Sequence, residues 1–151
     1  MAKFVFKLEP VLKQRRNEER DEQLAVAEIE RQRIGLEHRI RDLQSRIAAE
    51  RLELRRVLVS GGNGFDDIRR QAGAANVLNA QTQRLVLELA GVHRRLDKAR
   101  SKLQLATRRR KAMGRLRERR YEAWAMDERR KEAVAADDLN ITAGSRKEIS
   151  L

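Results

Sequence analysis

From Val5 to Val57 the apolar residues of this chain return at alternating steps of three and four, the rhythm that keeps one side of an α-helix turned toward a partner helix. On that frame the a positions are Val5, Leu12, Glu19, Val26, Arg33, Ile40, Ile47 and Leu54, and the d positions are Leu8, Arg15, Glu22, Ile29, Leu36, Leu43, Glu50 and Val57. Most of these side chains are apolar. The exceptions are Arg15, Glu19, Glu22, Arg33 and Glu50, and the first three lie close enough to pair along or across the seam. Pro10 fits the first turn of a helix, where its missing N–H is not needed, so helix 1 is expected from about 8 to about 59.

The rhythm stops at "VSGGNGFDD", Val59 to Asp67, and resumes on a second frame. Its a positions are Ile68, Ala75, Thr82, Leu89, Leu96, Leu103, Arg110, Arg117 and Trp124; its d positions are Gln71, Leu78, Leu85, Val92, Ala99, Ala106, Met113, Arg120 and Asp127. The middle, Leu78 to Ala106, is almost entirely apolar, and beyond Met113 the frame turns basic, so the seam fades there. Two long amphipathic helices joined by a short glycine turn close on each other, because neither buries its stripe alone. The predicted architecture is all-α: a long two-helix antiparallel coiled-coil hairpin over 1–137, with a turn at 60–65, helix 2 over about 66–137, and a disordered, flexible C-terminal tail over 138–151. A turn centred near Gly62 makes partner positions sum to about 124. Leu8 then faces Leu116, and helix 2 overhangs helix 1 from about Arg117 to Ala136. At ~1.5 Å per residue the paired part is roughly 75 Å long.

Composition agrees with long helices and argues against a compact core. Aromatic residues are 3% of the chain and charged residues 38%, against roughly 25% charged in ordinary soluble domains. The net charge of +12 favours acidic partners, of which nucleic acid is one and an acidic protein groove another. There is no cysteine, which excludes disulfides and thiolate zinc sites. Lys3, Lys7 and Glu9 interrupt the apolar residues of the N-terminus too closely for a signal-peptide core, and no run approaches the ~20 apolar residues of a membrane span. A cytoplasmic location is expected.

Catalytic chemistry finds little to stand on. A two-helix hairpin offers almost no concave site in which reacting groups converge. The glycine cluster is not followed by Lys-Ser or Lys-Thr, so it lacks the side chains that reach phosphate and magnesium in a P-loop. Asp66 and Asp67 follow instead; they repel phosphate and suit the first turn of a helix. His38 and His93 fall on outer heptad positions with no second histidine nearby, the arrangement of solvated residues rather than metal ligands. The chain is therefore expected to be no enzyme, with no cofactor, no metal and no small-molecule substrate.

Three places depart from a plain coiled coil. Between Arg108 and Lys131, eleven cations stand against Glu118, Glu122, Asp127 and Glu128, for a local net charge of +7. This run reads either as a solvated face or as a docking surface for something acidic. Tyr121, Trp124 and Met126 lie in the overhang, where two compatible readings apply: an exposed hot spot, and a platform onto which Phe4 and Phe6 fold. Leu58, Phe65 and Ile68 flank the turn, and either cap the hairpin or form a contact there.

The stretches "MAKFVFKLEPVLKQRR", Gly-Asn-Gly at the bend and "RRYEAWAMDERRKEAVAADDL" resemble the FliJ family of flagellar export proteins. The likeness covers essentially the whole chain, with the Phe-x-Phe-x-Leu-x-Pro-Val-Leu and arginine-rich stretches as its specific parts. It implies a soluble component of the flagellar type III export apparatus, similar in shape to the coiled coil of the gamma subunit of rotary ATPases. Such proteins insert the end bearing both termini into the pore of the hexameric export ATPase, promote its assembly, and contact the membrane protein of the export gate and the export chaperones. By that likeness the ATPase-facing residues are Phe4, Phe6, Arg110, Arg117, Arg120, Tyr121 and Trp124, and the gate-facing residues Leu58, Phe65 and Ile68. The location implied is the cytoplasm, peripheral to the membrane at the gate. The family often carries aromatic residues early in helix 2, where this chain has Ala72, Ala74, Ala75 and Asn76.

Two other classes remain as alternatives. A basic coiled coil could bind nucleic acid, although few aromatics accompany the cations and no nucleic-acid motif is present. A homo-oligomeric rod, with weak self-association to four helices, is the other.

Overall fold

The computed structural model describes residues 3–61 and 64–148, the side chains of 139–148 excepted. Two helices make up the fold, α1 at Glu9–Ser60 and α2 at Phe65–Glu148, packed against each other with no strand among the described residues. The chain groups into two compact units, Met1–Glu19 with Leu105–Leu151 and Arg20–Gln104. In each of them α1 and α2 run antiparallel.

Local chemistry sets the helix ends. The Leu12 amide donates to the Leu8 carbonyl at 3.0 Å, which opens α1 with Glu9 and Pro10 in its first turn. Glu9 stands where the helix dipole favours an anion and Pro10 where no donor is missed. At the other end, Ser60 Oγ donates to the Val57 carbonyl at 3.1 Å, and Gly61 turns into the left-handed region with φ of 62°. That conformation ends helices through glycine because a side chain there is strained. Gly62 and Asn63, the expected centre of the turn, lie outside the described residues. Beyond them the Asp67 amide donates to the Gly64 carbonyl at 2.9 Å, Asp66 and Asp67 occupy the first turn of α2, and Asp67 pairs with Arg70.

The heptads carry the packing. From Leu12 to Val57 and from Ile68 to Met113, every a and d position is buried or half-buried. The most enclosed side chains are Leu12 and Ala106 in the first unit, and Leu36, Ile40, Ile47, Val57, Val92, Leu96 and Ala99 in the second. No polar or charged residue among those described is fully buried. Burying one Leu or Ile is worth about 1.5–3 kcal/mol, whereas an exposed ion pair is worth about 0–1 kcal/mol, so the apolar seam sets the stability and the charges set the register.

Polar contacts between the helices fall a few residues later in α2 than a turn at Gly62 implies. Glu9 meets Arg117, Glu19 meets Thr107 and Arg110, Gln32 meets Arg95, and Glu30 meets Arg100. The cause is the tilt of helical side chains toward their own N-terminus. In an antiparallel pair both partners lean that way, so long side chains meet at higher summed numbers than the backbones do.

Beyond Met113 the covered positions leave the heptad frame. Of the frame's own positions Arg117, Arg120 and Asp127 are exposed and only Trp124 is half-covered, while Leu116, Ala125 and Glu128, off the frame, are half-covered. Here α1 has ended, and among the described residues only 3–6 and the turn at 7–8 remain to pack on α2. Helical backbone continues to Glu148, past the expected end near 137, because 132–143 contains no proline or glycine and four alanines favour helix. The flexible tail expected over 138–151 falls mainly on residues whose side chains, and for 149–151 whose backbone, lie outside the described residues.

Candidate functional site

The first unit assembles an aromatic cluster from distant parts of the sequence. Phe4 packs edge-on against Tyr121 at 5.4 Å between ring centroids and 82°, and tilts against Trp124 at 5.7 Å and 49°. Tyr121 and Trp124 complete the triangle at 5.8 Å. Edge-to-face and tilted pairs of this kind each add about 0.5–1.5 kcal/mol beyond the area they bury. The platform reading of these rings is seen for Phe4, which packs onto α2. Phe6 makes no ring contact with the triangle; it is half-buried and lines a recess with Val5, Lys7, Leu8 and Arg120. A second recess is lined by Phe4, Arg117, Glu118 and Tyr121. The cluster stays partly open, with Tyr121 52% exposed.

Arginines rim this cluster, but they are not equivalent. Arg117 Nε lies 3.1 Å from Glu9, a partner that Glu9's place beside Pro10 did not suggest. Arg120 is exposed and has no ion pair among the described residues. Arg110 Nε sits 2.5 Å from Glu19 as an ion pair without hydrogen-bond alignment, with Glu19 only 13% exposed. Thr107 Oγ1 donates to the same carboxylate at 2.8 Å, a contact visible in the sequence only once the register is known. Arg110 thus belongs first to the seam.

These contacts shift carboxyl groups in one direction. The Thr107 hydroxyl holds Glu19 below the usual glutamate range, with partial burial opposing it and Arg110 assisting. Arg15 does the same for Glu18, and Arg33 for Glu30, again against partial desolvation. In return, Glu30 and then Glu37 raise Arg33, and Asp127 and then Glu128 raise Lys131. A carboxyl that binds its proton more weakly in the folded than in the unfolded chain gives stability that is present above its unfolded value and lost as pH falls through the folded one. The melting temperature is therefore expected to be flat near neutrality and to fall below about pH 4.3. Glu19→Gln should flatten part of that fall in circular dichroism melts.

The residues flanking the turn are less assembled. Phe65 is 78% exposed, Leu58 is exposed and Ile68 is half-buried, with no ring or polar contact described for any of them. His38 and His93 are both exposed. Among the described residues no group of three His, Cys, Asp or Glu is placed to hold a metal ion, and no helix is long and apolar enough to cross a membrane.

The family model described as "Flagellar FliJ protein" matches residues 4–148. The chain belongs to the FliJ family. As a FliJ protein it is a flagellar export component, and the match runs from the first ring of the aromatic cluster to the last helical residue of α2. No curated protein and no solved structure matches it.

Proposed function

We propose that this FliJ protein is the non-catalytic stalk of the type III export apparatus, which binds the hexameric export ATPase through its aromatic end and raises its turnover. The observation that carries this reading is the cluster of Phe4, Tyr121 and Trp124, held together yet partly open, with Arg117 and Arg120 at its rim. A desolvated aromatic flanked by arginine is what a binding hot spot requires. Apolar recesses edged by guanidinium suit a partner surface in which carboxylates stand beside apolar side chains. The rings give affinity, and the exposed cations steer the encounter.

A stalk with no reacting groups activates an enzyme by binding one state of it more tightly than another, so the effect on turnover is bounded by that difference in affinity. The gate and the chaperones are the further partners in this reading, with Leu58, Phe65 and Ile68 the contact toward the gate. Phe65, largely exposed, is the strongest apolar feature beside the turn. The working location is the cytoplasm beside the gate.

The direct test adds the purified chain to the purified export ATPase and follows assembly and phosphate release. Wild-type protein should raise both. The double variant Arg117→Glu, Arg120→Glu should weaken activation at least tenfold in the concentration needed, about 1.4 kcal/mol. An ATPase indifferent to the wild-type chain would sink the proposal.

A further inference from the structure

One face of α2 in the first unit is cationic and uncommitted. Arg108, Arg115, Arg119, Met126, Arg130 and Val134 follow one another along the helix, with alanines at the intervening turns, at the steps of three and four that share a face at 3.6 residues per turn. All six are exposed. No ion pair engages any of the four arginines among the described residues, whereas Arg110, Arg117 and Lys131, elsewhere around the same helix, are paired. Glu118 lies off the face, Glu122 stands at its edge, three residues after Arg119 and four before Met126, and Asp137 comes only after Val134, so the stripe keeps a cationic excess. The aromatic cluster occupies the other side of the helix, since Tyr121 and Trp124 fall between the turns of this stripe.

We infer that this face is an adsorption surface for an anionic lipid bilayer. Four guanidiniums project from one side of a continuous helix over ~33 Å, so a flat sheet of phosphate headgroups meets them together. Guanidinium binds phosphate bidentately and gives up its hydration more readily than ammonium does. Met126 and Val134 are 56% and 60% exposed; they lie in the same face, where the acyl boundary takes up apolar side chains. Nucleic acid fits less well. Single strands need aromatic platforms beside the cations, and the rings here are turned away onto Phe4.

The inference is tested by sedimenting the full chain with vesicles of phosphatidylcholine, alone or mixed in equal parts with phosphatidylglycerol. Wild-type protein should pellet with the mixed vesicles only and be released as salt rises. Each arginine near the surface contributes about fivefold to partition, so the variant Arg108→Gln, Arg115→Gln, Arg119→Gln, Arg130→Gln should lose binding by roughly two orders of magnitude or more. Replacing the same four with lysine should retain most of it. A variant of equal net charge, Arg41→Gln, Arg51→Gln, Arg55→Gln, Arg69→Gln, whose changes are exposed residues of the other unit, should still bind. Circular dichroism should report the same helicity for all of them. No pelleting by wild type, or equal loss in the two glutamine variants, overturns the inference. So does stripe-dependent binding of duplex DNA or of an acidic protein without binding to vesicles. Arg117 and Arg120 are untouched in all of these variants, and the ATPase is absent, so a failure here is separate from a failure of the stalk proposal.

Discussion

Leu96→Ala should lower the stability of the hairpin by about 3 kcal/mol and lose much of its helical circular dichroism signal at temperatures where the wild-type chain is folded. Leu96 is 2% exposed, at an a position whose neighbours Val92 and Ala99 are also enclosed. Truncation removes the transfer energy of three carbons and leaves a void that two helices, with no third layer behind them, fill poorly. A fold with one seam has little stability in reserve, since domains as a class hold only about 5–15 kcal/mol. Leu87→Ala supplies the contrast: the same change at a side chain 74% exposed should shift stability by less than about 0.5 kcal/mol. If the two variants melted together, the seam would not be the source of stability.

Trp124→Ala should have the second large effect, and one of a different kind. The indole is half-covered and touches both Phe4 and Tyr121, so its loss breaks two of the three ring pairs and releases the N-terminal segment. The cost to the hairpin should be about 1–2 kcal/mol, felt near this cluster rather than along the whole seam. The effect on the export ATPase should exceed it: activation should fall by more than tenfold in the concentration required, because the hot spot and the fold of its strap are lost together. Phe4→Ala separates the two. It leaves Trp124 in place with the strap released, so activation intermediate between wild type and Trp124→Ala is expected. Hydrogen exchange confined to residues 3–8 and the neighbouring part of α2 would show that the seam is intact in both variants. Full activation by Trp124→Ala would remove the aromatic end from the proposed contact.

The heptads were legible because burial on one seam imposes a period that any register preserves. Leu12 to Val57 and Ile68 to Met113 follow it without exception, charged entries such as Glu19 and Arg33 included. The glycine at position 61 was readable for a related reason, since few residues other than glycine turn left-handed at a helix end. The aromatic cluster was readable only as a choice. Residues 3–6 have no period, so nothing local says whether Phe4 and Phe6 pack, and the structure separates them: Phe4 joins the rings and Phe6 lines a recess. Arg110 was hidden in a different way. A basic run counted as a block conceals which cations face Glu9 or Glu19 and which face solvent, and that division appears only once the partner helix is in place. The same counting hid the stripe from Arg108 to Val134, whose spacing is in the sequence but whose lack of partners is not.

The short turn through Gly61 has a consequence for how such a chain is used. Two separate helices with these stripes would assemble only at concentrations set by their mutual affinity, and each could choose a like partner. A covalent turn of a few residues replaces that search with an effective local concentration on the order of millimolar. The two helices are then always delivered as one copy of each, in one orientation, however few chains a cell contains. A partner built with rotational symmetry would meet in this hairpin an object that has none, so any contact between them is necessarily unequal from one subunit to the next.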